Sequence, residues 1–198
     1  ATAQGVPDEL VAAARALPGP RVCVVGGRTG VGKTRVLHAL RDVFDKAIID
    51  LEGLANHRGS TFGWCGQGGQ KQPTSEQFSN LVAHAWHIIG PKAQTTGGWV
   101  FVEDEDKHIG TCEVPPGIYA MLRCAPLVAR INVGRAARVQ MLVEDYAGVE
   151  AQGADAEAWT ADMEASIIRL SKRLGGNVVK DLLAKLHAKD FAAVARSL

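Results

Sequence analysis

The sequence predicts an α/β fold: a mainly parallel sheet with helices on both faces and a helical C-terminal extension. Three observations carry that expectation. Short apolar, β-branched runs alternate with segments of helical spacing. A glycine-rich turn joins the first of those runs to a helix, and beyond Gly148 only helical spacing remains. The boundaries expected are 1–150 for the α/β domain and 151–198 for a helical extension packed on it.

Each element has its own signal. Leu10, Ala13, Ala14 and Leu17 follow i, i+3, i+4, i+7 after Pro7-Asp8, and Pro18-Gly19-Pro20 ends that helix. The run 21–25 reads as a buried strand closed by Gly26-Gly27. A helix from Gly32 follows, with Val36, Leu37 and Leu40 on one side, then a strand over 47–50 that ends in Asp50. Residues 53–73, with six glycines, read as a long loop, and loops of that length are usually functional. Thr74 and Gln77 match a capping box, and Phe78, Leu81, Val82, Ala85 and Ile89 form the apolar stripe of the helix it opens. Strand 99–102 runs into Glu103-Asp104-Glu105-Asp106, of which Glu105 and Asp106 read as solvent loop. A short helix from Pro115-Pro116, a strand over 127–133 and a helix over 135–146 complete the α/β part.

Composition excludes several classes. A hydrophobic content of 46% with a net charge of +1 is neither a disordered chain nor an indiscriminate polyanion binder. No apolar run is long enough for a membrane span. Cys23, Cys65, Cys112 and Cys124 form no CxxC pair, which suits free thiols in a reducing, cytoplasmic setting. The chain opens at Ala1 without a Met or a signal-like segment, so a piece of a longer polypeptide is expected. Charge is uneven: Val139 to Ile168 holds seven acids and no Lys or Arg, and Arg169 to Leu198 holds seven basic residues against two acids. The basic block reads as a solvated face or a phosphate-facing patch.

Gly27-Arg28-Thr29-Gly30-Val31-Gly32-Lys33-Thr34 fits GxxxxGKT between a predicted strand and a predicted helix, so the expected fold is P-loop NTPase-like. Gly27, Gly30, Val31, Gly32, Lys33 and Thr34 are the expected phosphate-binding residues. The backbone must curl with its N–H groups inward, and the helix N-terminus behind it adds positive charge. Lys33 is a mobile point charge for terminal phosphates, and the Thr34 hydroxyl suits Mg²⁺. An acid that orients metal or water should end a buried strand. Glu103 and Asp104 stand there, with Asp50 at the neighbouring strand end. Arg135 and Arg138, one turn apart, are candidate lid arginines. No base-selecting NKxD motif appears, so ATP and GTP both remain open.

The discriminating segment is Leu51-Glu52-Gly53-Leu54-Ala55-Asn56-His57-Arg58-Gly59-Ser60, which concentrates an acid, an amide, an imidazole, a guanidinium and a hydroxyl. With the phosphate loop, Gln72 to Phe78, Glu103-Asp104-Glu105, Ile109-Gly110, Glu144-Asp145-Tyr146 and Lys172 to Gly176, it resembles the tRNA 2-selenouridine synthase family in its C-terminal phosphate-loop domain. The resemblance runs in order from about residue 21 to 190.

That resemblance implies a transferase acting on the wobble 2-thiouridine of tRNA. It would exchange sulfur for selenium with selenophosphate through an S-geranylated intermediate made from geranyl diphosphate. Together with the phosphate-loop reading, the expected site has Lys33, Asp50, Glu103 and Asp104 as catalytic, Thr34 and Glu103 as Mg²⁺ ligands, and Glu52, Asn56, His57, Arg58, Ser60, Arg135 and Arg138 as substrate or tRNA contacts. A rhodanese-like domain precedes this part in the family, and its partner role is expected in cis or in trans. Cys23 imitates a rhodanese CxxGxR loop, but it reads as interior strand. Two other classes stay open: a small-molecule or nucleoside kinase, and a non-catalytic nucleotide- or tRNA-binding module.

Overall fold

In the computed structural model, residues 7–9, 12, 19–65, 71–148 and 156–197 are described. The N-terminal helix expected from Leu10, Ala13, Ala14 and Leu17 rests on positions outside the described residues. The first unit is built on a four-stranded sheet of β1 (Arg21–Gly26), β2 (Ala47–Ile49), β3 (Trp99–Glu103) and β6 (Leu127–Arg130), in the order β2-β3-β1-β6. Every pairing is parallel, with Val24 opposite both Val102 and Val128 and Ile48 opposite Phe101. A parallel strand covered on both faces must be apolar throughout rather than alternating, and Val22 to Gly26 are all buried. β6 is an edge strand whose four residues are exposed, and it ends at Arg130, opposite the last residue of β1, rather than running to residue 133 as the apolar spacing suggested.

Successive residues of β1 serve opposite faces. Val22 and Val24 join Ile49, Val100 and Val102 under Phe78 and Val82 of helix α3 (Ser75–Thr95). Val25 joins Ile48 and Phe101 under Leu37 and Leu40 of helix α1 (Lys33–Asp42). Helices therefore cover both faces, as the alternation of patterns predicts. The α3 capping box is present in both directions: Gln77 N–H donates to Thr74 Oγ1 at 3.1 Å and Thr74 N–H to Gln77 Oε1 at 3.0 Å.

The expected long loop has local structure. It opens in a one-turn helix, α2 (Leu51–Leu54), because the Asp50 side chain accepts the Gly53 N–H at 2.6 Å and caps it. Turns follow through Cys65. Helix α4 (Pro116–Arg123) follows an antiparallel pair, β4 (His108–Ile109) with β5 (Cys112–Glu113). Two-residue strands leave no periodicity for a sequence to display.

The chain divides into two compact units, Ala1–Gly59 with Lys71–Asn132 and Ser60–Gln70 with Val133–Leu198. Helix α5 (Arg135–Tyr146) and the segment from Ser60 thus group with the C-terminal helices α6 (Ala156–Arg169), α7 (Ser171–Leu174), α8 (Gly176–His187) and α9 (Phe191–Ser197). The sequence reading put that boundary at 150. The second unit has its own core of Trp159, Met163, Ile167, Val179, Leu182 and Leu186, closed by Phe62 and Trp64. Among the described residues no helix is long and apolar enough to cross a membrane.

Candidate phosphate-binding site

β1 delivers the chain to the phosphate loop at the carboxyl edge of the sheet, and α1 begins at Lys33. Gly30 and Gly32 hold φ of 78° and 80°, the left-handed region that lets the loop turn its amides inward. Gly27 has no substitute. An added Cβ would lie 2.6 Å from Val31 Cγ2 and 3.0 Å from the Ile131 carbonyl oxygen, at a φ of 154°. Val31, 5% exposed, forms the apolar floor.

Behind the loop, three elements are tied by a chain of polar contacts. Thr34 Oγ1, in the first turn of α1, donates to Glu52 Oε2 at 3.1 Å. The Glu52 backbone N–H, in α2, donates to Glu103 Oε1 at 2.9 Å at the end of β3. Asp50 Oδ2 meets His38 Nε2 at 2.7 Å. The discriminating segment is thereby joined to the phosphate loop through side chains that each motif supplies.

Burial makes this cluster electrostatically unusual. Glu103 is fully buried, and its Oε2 has no hydrogen-bond partner among the described residues. Desolvation, and then the Asp50 charge, push its carboxyl well above the usual carboxylate range. Glu52 is raised by burial and held back by the Lys33 ammonium. Glu105 is pushed up to about 8 by burial and then by the Glu52 charge. A hydrogen bond between two carboxyls needs one proton, which the pair of Glu52 and Glu105 shares. A Cβ on Gly59 would fall 2.5 Å from Glu52 Oε1 and 2.6 Å from Glu105 Oε2, so the loop backbone passes directly over the pair.

Lys33, Thr34, Asp50, Glu52 and Glu103 therefore share one neighbourhood. Asp104 points to Arg123 instead, whose guanidinium also donates to the Glu105 carbonyl at 3.2 Å and lies over Tyr119 at 5.3 Å. Of the discriminating segment, Asn56 and Arg58 are half-buried and His57 is 7% exposed. Ser60, Arg135 and Arg138 belong to the second unit. There Ser60 Oγ meets Tyr146 Oη at 2.9 Å, and Arg135 donates to the Arg196 carbonyl at 2.9 Å.

The expectation for Glu105 is corrected: it is buried at 7% exposure rather than solvated. Its signal was present, since Glu103 and Glu105 continue the period of two of the strand before them. Asp106 is exposed, as expected. His38 was also missed, although it sits one turn after Thr34 on α1. Nothing in the sequence signals the Arg123 pairing. Cys23 is buried in β1, where burial raises its thiol and keeps it inert. His84 and His87 lie exposed on α3, and no group of three metal-capable side chains forms among the described residues. Trp64 packs in the second unit's core beneath Arg169, 4.9 Å from its ring centre.

A family model described as the tRNA 2-selenouridine synthase AAA domain matches residues 20–195. The tRNA 2-selenouridine synthase of Hydrogenovibrio crunogenus is 38% identical over 174 residues, covering 84% of this chain and 43% of that protein. That of Sulfurovum sp. is 38% identical over 164 residues, 79% of this chain and 42% of that protein. That of Verminephrobacter eiseniae is 36% identical over 184 residues, 87% and 45% respectively. The chain spans less than half the length of these relatives. With a P-loop on a parallel sheet and 176 of its residues within that match, the chain belongs to the tRNA 2-selenouridine synthase AAA-domain family.

Proposed function

We propose that this chain is the phosphate-loop part of a tRNA-modifying transferase acting on wobble 2-thiouridine. It would bind the diphosphate of geranyl diphosphate, or a nucleotide such as ATP or GTP, on residues 27–34. It would support geranylation and the sulfur-to-selenium exchange with selenophosphate that gives 2-selenouridine, with a rhodanese-like domain in cis or in trans. One observation carries the reading: the Thr34–Glu52–Glu103 chain, which couples the general phosphate-binding loop to the segment specific to this family.

The chemistry asks little of the protein beyond charge and position. As the allylic C–O bond breaks, the diphosphate leaves with the electron pair while the thiouridine sulfur forms the new C–S bond. The uridine N3 proton passes to solvent. Lys33 and the loop amides stabilise the charge that grows on the diphosphate. Arg58 and Asn56, half-buried on the adjoining loop, are suited to hold the RNA.

The residues present fit Mg²⁺. The ion takes one or two protein oxygens together with phosphate oxygens and water, and no all-protein cage is needed. Thr34, with the unpartnered Oε2 of Glu103, would hold it. When bound, it supplies Lewis-acid stabilisation of the leaving diphosphate.

The test is incubation of thiolated tRNA with geranyl diphosphate and Mg²⁺, read by mass spectrometry of the digested nucleosides. A prenyl mass gain is expected. Lys33→Ala should weaken geranyl diphosphate binding by about tenfold or more, as loss of a charged phosphate contact does. A variant that binds the diphosphate as wild type does would sink the reading. ATP turnover on a free hydroxyl compound, with no prenyl gain, would favour a kinase.

A further inference from the structure

Gln72 lies outside the phosphate site, yet every hydrogen-bonding position of its side chain is used. Its Nε2 donates to the Ala55 carbonyl at 3.0 Å and to the Ile109 carbonyl at 2.9 Å. Its Oε1 accepts the Thr111 N–H at 2.9 Å and the Thr111 hydroxyl at 3.2 Å. Two donors and two lone pairs are the full capacity of a primary amide. Only Gln has this set at this reach: Glu lacks the donors and Asn lacks a methylene.

The partners identify what is being held. Ala55 precedes the tripeptide Asn56-His57-Arg58, and Ile109 and Thr111 flank Gly110, the first residue of the two-residue turn between β4 and β5, at a φ of 61°. An added Cβ there would lie 2.1 Å from Gln72 Oε1 and 2.8 Å from His57 Cδ2, so the amide and the imidazole converge on this glycine. The hairpin is fixed in turn from the start of α3. Ser75 Oγ accepts the Glu113 N–H at 3.1 Å, and Cys112 Sγ donates to the Pro73 carbonyl at 3.3 Å. Asn56 is itself at a φ of 48°, and the His57 N–H returns to the Glu52 carbonyl at 3.0 Å.

From this we propose that Gln72 is a positioning residue. With the β4–β5 turn as its anvil, it locks the Ala55–His57 backbone so that Arg58 presents its guanidinium to the RNA substrate in one geometry. The inference rests on the function proposed above for the substrate, but its structural arm does not. Gln72 touches neither phosphate nor RNA in this scheme. It acts through the loop, at the point where the chain returns to the first unit after the segment 60–70.

The experiment uses the full chain in four forms: Gln72→Ala, Gln72→Glu, Arg58→Ala and the Gln72→Ala/Arg58→Ala pair. Amide exchange at 55–58 is measured without ligand. Geranyl diphosphate affinity and kcat/KM for thiolated tRNA are measured separately. Both Gln72 variants should speed exchange at 55–58 and leave geranyl diphosphate affinity within about twofold of wild type. They should lower kcat/KM for tRNA by about tenfold to a hundredfold, the scale of a small misplacement of a binding group. The double variant should be no worse than Arg58→Ala alone, because a residue that acts through Arg58 has nothing left to position.

Unchanged exchange at 55–58, a matching loss of diphosphate affinity, or losses that multiply in the double variant would each overturn the proposal. Gln72→Glu keeps the volume, so it separates lost donors from a cavity should the Ala variant fold poorly. If wild type transfers no prenyl group, the substrate reading fails on its own. The exchange arm and the same double-variant cycle read on tRNA affinity then decide the clasp.

Discussion

Glu105 shows how much a single side chain's surroundings matter here. Its carboxyl keeps a proton up to about pH 8 in the native chain, because burial and the Glu52 charge oppose ionisation. The unfolded chain releases that proton near the ordinary value of 4.5. Between those limits the native state holds more protons, so stability must fall as pH rises. The slope from one such group is about 1.4 kcal/mol per pH unit, and Glu103, raised for the same reason, acts in the same direction. Urea unfolding of the ligand-free, metal-free chain from about pH 5 to about pH 8 should show this decline. Glu105→Gln should flatten it and gain on wild type toward the alkaline end; equal slopes would refute the assignment. The places of Asp50 and Glu103 at strand ends, and of Lys33 at the start of α1, were legible in the sequence because the GxxxxGKT pattern fixes where strand, loop and helix meet. The burial of Glu105 was not, since an acidic tetrapeptide looks the same whether solvated or enclosed.

Elements behaved as their local chemistry dictates wherever that chemistry is local. The α3 start is an example: Thr74 and Gln77 satisfy each other's backbone N–H, and the helix begins at Ser75 as the pattern requires. Thr74→Ala should cost about 1 kcal/mol of stability, measured by chemical denaturation, with diphosphate affinity unchanged. The phosphate loop and the helices 33–42 and 135–146 were equally readable, because caps, glycines and apolar spacing are written within a few residues. The β4–β5 pair was not. Its register depends on Gln72, Pro73 and Ser75, which are more than 30 residues away in sequence. The edge strand β6 stopped short for a related reason: pairing depends on a neighbour, and β1 ends at Gly26, whose carbonyl accepts the Ile131 N–H at 2.8 Å as the last contact.

For the molecule as a whole, the decisive fact is that the second unit has a core of its own. Leu182 is fully buried among Trp159, Met163 and Ile167 in the second unit, and Leu182→Ala should destabilise that unit by about 2–5 kcal/mol. Faster amide exchange across 156–197 is the measurement, and unchanged protection there would count against an independent core. The same unit carries the basic block. Lys172, Arg173, Lys180 and Lys189 are exposed, whereas Lys185 is engaged by Asp181 and Ser197. Reversing those four charges should weaken tRNA binding and reduce the salt slope by about 0.7–0.9 per lost phosphate contact. Reversing Lys185 alone should do less. The alternation of the main strands and helices, the phosphate loop and the discriminating segment 51–60 were determined by sequence alone, because each is a pattern of neighbours along the chain. Which carboxyls are buried together, how Gln72 bolts one loop to another, and why residues 60–65 join the C-terminal helices were decided only by tertiary structure. Burial and hydrogen-bond saturation are properties of what surrounds a side chain in space, and the linear order of residues does not contain them.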